Sequence, residues 1–158
     1  MSLKSTVIRL ASKISRLYSQ RIFFAKIHRA MALHWRGEVR SDGLRLTAAR
    51  TVLQIEWLAR DLHPWDRDLP RARAQREFSA QCFDDTDAAL TRLFNEIPVL
   101  DAIQVCIRRE AADAPLLTGT VEREDFERND PSPAAMKLRR FGLKFRMNNE
   151  GLDLSGID

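Results

Sequence analysis

The stretch Ile103-Gln104-Val105-Cys106-Ile107-Arg108 decides the fold class. Its β-branched residues recur at every second position, the period of a strand with one buried face. Residues 100–109 therefore read as a strand, with Ile103, Val105 and Ile107 on one side and Gln104, Cys106 and Arg108 on the other. A loop over 110–115 and a second strand over 116–123 complete an antiparallel hairpin. Downstream, Ser132-Pro133 is a helix start, with a cap residue and then a proline in the first turn. Ala134, Leu138 and Phe141 form the buried stripe of that helix, and Gly142 suits the left-handed position that closes it. Leu143, Phe145 and Met147 then alternate with Lys144 and Arg146 as a final strand. Asn148-Asn149-Glu150-Gly151 reads as a turn, after which residues 152–154 pair back.

Upstream the pattern becomes helical. Leu90, Leu93, Phe94 and Ile97 fall at i, i+3, i+4 and i+7, which predicts a helix over 86–97 stopped by Pro98. Residues 70–83 form a helix of their own, and Asp84 and Asp85 break the two apart and offer a cap to the second. Residues 47–62 read as a helix capped by Thr47. Its main stripe is Ala48, Val52, Ile55, Ala59 and Leu62, with Leu53 and Trp57 on a second buried side; His63-Pro64 ends it. Ser41-Asp42-Gly43 marks the turn of a short hairpin over 37–46. Strands and helices in this order are not interleaved one for one. The expectation is a single α+β domain, with a long basic N-terminal helix and several further helices packed on a small antiparallel or mixed sheet.

The N-terminal helix is the clearest amphipathic segment. Over residues 3–20, Leu3, Val7, Leu10, Ile14 and Leu17 form a 4-3-4-3 seam, and Arg9, Lys13 and Arg16 lie opposite. The seam covers about two and a half heptads, short of a coiled coil. Beyond Gln20 the apolar residues point all round the wheel, so the chain is expected to sink into protein contacts. Residues 1–36 carry eight basic groups and no acidic one, whereas the remaining 122 carry 18 basic and 22 acidic groups. A basic arm over 1–36 attached to, and continuous with, an α+β domain over 37–158 describes this asymmetry.

Composition bounds the function classes. With 44% hydrophobic and 30% charged residues, the chain reads as a soluble globular domain. No run of some 18 apolar residues marks a spanning helix. Cys82 and Cys106 have no metal-binding spacing, and two buried free thiols suit a reducing cytoplasm. Arginine outnumbers lysine by 21 to 5, which points to a GC-rich bacterial gene.

Catalytic signals are weak. Asp61-Leu62-His63-Pro64-Trp65-Asp66-Arg67-Asp68 holds three carboxylates and an imidazole, enough for a metal-dependent enzyme centred on Asp61, His63, Asp66 and Asp68. A solvated helix end and a polar turn account for the same residues, and no second ligand set completes a site. His28 and His34 are six residues apart and cannot share a helix face. Glu122, Glu124, Asp125 and Glu127, with Asp130, read as a charged loop rather than an ion site. Asp101 precedes a strand that lacks the acid-x-Lys of a restriction-type nuclease. Neither a glycine-rich phosphate loop nor a G-x-S-x-G elbow occurs.

A second basic cluster, Lys137, Arg139, Arg140, Lys144 and Arg146, is interleaved with Phe141 and Phe145. Basic groups among aromatics suit a nucleic-acid backbone. Cations in a last helical turn, and core aromatics between them, explain the pattern more simply. The expectation that ranks first is a non-catalytic interaction or assembly protein. It forms a homodimer and docks residues 3–20 on an acidic protein, nucleic acid or anionic membrane surface. A nucleic-acid accessory protein, using Arg9, Lys13, Arg16, Lys137, Arg140, Lys144 and Arg146, ranks second, and the 61–68 enzyme third. No metal, cofactor or small-molecule substrate is expected.

Overall fold

The computed structural model describes residues 22–27, 29, 45–49, 51–62, 64–66, 68–110, 113–128, 130–148 and 153–157. The expected helix over 3–20, the two histidines at 28 and 34, and the Ser41-Asp42-Gly43 turn lie outside them. Within these residues the chain is an α+β arrangement of helices and a six-stranded mixed sheet. The helices are α1 (residues 22–27), α2 (Arg71–Glu96), α3 (Arg123–Glu127) and α4 (Ala134–Arg140). The strands are β1 (Arg45–Ala49), β2 (Val52–Leu58), β3 (Ala102–Arg108), β4 (Leu117–Glu122), β5 (Lys144–Met147) and β6 (Leu154–Ser155). Spatial order follows chain order, β1 to β6. Every neighbouring pair is antiparallel except β2 and β3, which α2 joins as a parallel crossover.

The β3–β4 hairpin forms as its alternation predicts. Ile103 pairs with Val121 and Ile107 with Leu117, and all four are buried. Phe83 of α2 meets Phe145 of β5 with ring centroids 4.8 Å apart, which sets α2 on that buried face. Phe94, Phe126 and Phe141 continue the contact through α3 and α4. Ile27 of α1 joins the same core and Phe23 and Phe24 pack against it, but Ile22 is 46% exposed, so the described turns of α1 bury one face and not all sides as expected. Among the described residues no helix is long and apolar enough to cross a membrane.

Three expectations about elements need correction. The charged run after β4 is not a loop: Glu122 ends β4 and Arg123–Glu127 form α3, with pairs Arg123–Glu127 and Glu124–Arg128 at helical i,i+4 spacing. Residues 47–62 are not a helix. Ala49 pairs with Val52, so the chain reverses between them and β1 and β2 form a tight hairpin. Leu53, Ile55 and Trp57 alternate with Gln54 and Glu56, and only the first three are buried. The helical stripe counted there mixes residues from both faces of a strand. Pairing with β3, some fifty residues away, recruits Leu53, Ile55 and Trp57 into the core, and such pairing overrides local spacing.

Asp84 and Asp85 do not break the helix either. α2 runs unbroken for 26 residues, about 39 Å at 1.5 Å per residue. Asp85 is drawn sideways into a two-point ion pair with Arg60, at 2.6 and 3.0 Å, instead of turning back to cap. Thr86 hydroxyl donates to the Cys82 carbonyl at 2.6 Å within the helix. Phe78, Phe83, Leu90, Leu93 and Phe94 form one continuous buried stripe across the supposed break. Each such side chain is worth about 1.5–3 kcal/mol, so the stripe together outweighs the roughly 1 kcal/mol of a typical cap.

Candidate functional site

Among the described residues the helices cover one face of the sheet and leave the other open. The described alternate positions on the open face form rows fixed by register. Thr47, Gln54, Gln104 and Thr120 lie side by side across four strands, and all four are exposed. In the next row Glu56, Cys106, Thr118 and Lys144 are neighbours. A shallow depression of about 310 Å³ is lined by Thr47, Gln54, Glu56, Gln104, Cys106 and Thr118. At its border Arg108 Nε lies 3.3 Å from Glu56 Oε1, and Arg108 also donates to the Asp113 carbonyl. The Cys106 thiol is half-buried, and that burial pushes its pKa up against the opposing pull of Arg108. An attacking cysteine needs the reverse, a depressed pKa beside a free base. The first row is a hydrogen-bonding surface of amides and hydroxyls, and the second adds the charges of Glu56 and Lys144.

The second distinctive surface is the end of the sheet where β3 begins and β4 finishes. Arg123 N–H donates to the Asp101 carbonyl at 2.7 Å, and Ala102 pairs with Glu122. The segments that meet there carry Glu96, Asp101, Glu122, Glu124, Asp125 and Glu127, six carboxylates to the two guanidinium groups of Arg123 and Arg128. Arg123 is turned inward. Its Nε donates to the Leu100 carbonyl at 2.6 Å, and its Nη2 donates to those of Ile97 and Phe94 at 3.0 and 3.2 Å. Phe94 lies in the last turn of α2, where carbonyls lack helical partners, and Ile97 and Leu100 lie in the turn that follows it. Arg128 spans Glu124 and Asp125 at 3.4 Å. The Glu124 and Glu127 side chains remain 87% and 62% exposed. Val99, in the turn between α2 and β3, is 63% exposed.

The residues singled out in the sequence are dispersed. Asp61 and Asp68 are exposed, Asp66 is half-buried in the short 3-10 turn Pro64–Asp66, and His63 lies outside the described residues. Among the described residues no group of three potential ligands is close enough to hold a metal ion. Arg9, Lys13 and Arg16 also lie outside the described residues.

The 137–146 cluster is divided between two faces. Lys137 Nζ sits 2.7 and 2.9 Å from the carboxylate oxygens of Asp87, tying α4 to α2. Arg140 pairs with Asp130 at 2.7 Å and donates to Ser132 Oγ at 3.0 Å. Ser132 makes no side-chain cap; Pro133 occupies the position before α4. Arg139 lies over the Phe145 ring at 4.5 Å on the helix side of the sheet. Lys144 and Arg146 stand exposed on the open face.

Gln54, Glu56, Gln104 and Thr118 were not singled out by sequence reasoning. The signal was present in the alternation of Gln54 and Glu56 with Leu53, Ile55 and Trp57. It was hidden by counting the same residues at helical spacing.

The chain matches no protein-family model, no curated protein and no solved structure.

Proposed function

We propose that the protein is a non-catalytic assembly protein that self-associates by docking its basic N-terminal arm on the acidic end of a second copy. The observation that carries this reading is the inward turn of Arg123. Its guanidinium serves the end of α2 and reaches the carboxylates only through a 3.5 Å pair with Glu127, while Arg128 pairs with Glu124 and Asp125, so the exposed Glu122, Glu124 and Glu127 belong to a segment with more carboxylates than its two arginines balance. The arm over residues 1–36, with eight basic groups and no acidic one, is complementary in charge. Its apolar seam suits a surface that also exposes Val99. The nucleic-acid reading loses support because Lys137 and Arg140 already hold Asp87 and Asp130.

Sedimentation velocity of the full chain tests the reading. A dimer or larger species is expected at about 50 mM salt, and it should dissociate at about 0.5 M, where screening falls to a few ångströms. Replacing Glu122, Glu124, Asp125 and Glu127 by Gln should abolish association while the circular dichroism spectrum is kept. A monomer at low salt, or association indifferent to both changes, overturns the proposal. Binding to duplex DNA with a log–log salt slope of about −3 to −4 would favour the nucleic-acid reading instead.

A further inference from the structure

We draw no further inference here: the strongest candidate, the open sheet face around Gln54, Gln104, Cys106 and Thr118, carries nothing, because nothing in the structure shows what covers it.

Discussion

Arg123 grips Phe94 twice: its Nη2 donates to the Phe94 carbonyl at 3.2 Å, and its guanidinium carbon lies 4.9 Å from the centre of the Phe94 ring. One side chain at the start of α3 thus closes the far end of α2 and covers a core aromatic. Removing it takes a charged donor from three carbonyls at once, although that of Ile97 keeps the Leu100 N–H at 3.1 Å. Charged hydrogen bonds of this kind are worth about 1.5–3 kcal/mol each in isolation, but their effects overlap and water partly replaces them.

Arg123→Ala is therefore expected to lower stability by about 2–4 kcal/mol in urea unfolding. Arg123→Lys should recover little, because one ammonium cannot reproduce the fork or the stacking. Full recovery with lysine would show that charge alone is needed.

Gly119 and Gly142 bring β4 and the approach to β5 into close contact. A Cβ on Gly119 would lie 2.6 Å from the Gly142 carbonyl oxygen and 3.0 Å from Leu143 Cα, both backbone atoms that cannot swing aside. Gly119 also has φ +154. Gly119→Ala should cost about 2–3 kcal/mol of stability by denaturant titration. A loss below about 0.5 kcal/mol, the scale of an ordinary surface change, contradicts the close approach.

The two thiols differ in environment. Burial pushes Cys82 up to about 12, helped by the charge of Asp85, so its thiolate is scarce at neutral pH. Cys106 is only partly covered. A thiol reagent at about pH 8, near the ordinary cysteine pKa, should label Cys106 in the folded protein and Cys82 only after denaturation. Mass spectrometry of Cys106→Ser should then find almost no labelling without denaturant. Rapid native labelling of Cys82 would contradict its burial.

Asp130 is held at about 2, below the ordinary 3.8, by side-chain and backbone hydrogen bonds from Ser132 and then by Arg140. A carboxyl depressed on folding stabilises the folded state fully above its unfolded value. That contribution is lost as pH falls from about 4 towards 2. Carbon-detected NMR titration of the Asp130 carboxyl should give the low midpoint, and both Ser132→Ala and Arg140→Ala should raise it towards 3.8. An unshifted midpoint in the unaltered protein would count against the clasp.

What the sequence alone determined is local. The β3–β4 hairpin, α4 with Gly142 behind it, and β5 all follow from alternation or capping within a dozen residues. Each of these patterns has one partner face and no competing period. Phe141 and Phe145 were also legible as core, and they pack there. The tertiary structure decided what depends on distant partners. Val52–Leu58 is a strand because β3 pairs with it in parallel, a contact no local window contains. α2 continues past Asp84 because Arg60 and the buried stripe outweigh the cap that the aspartates offered. The Asp84 carboxyl bears a cost of that continuity, pushed up by partial desolvation and by the charges of Asp85 and Asp87. The roles of the charged side chains were decided at the same level. Lys137 meets Asp87 fifty positions away, and Arg123 reaches back to Phe94, so cations that look available in the sequence are already engaged. Hydrophobic period is written into the chain locally, whereas the partner of a charge is set by whichever elements the folded core brings together.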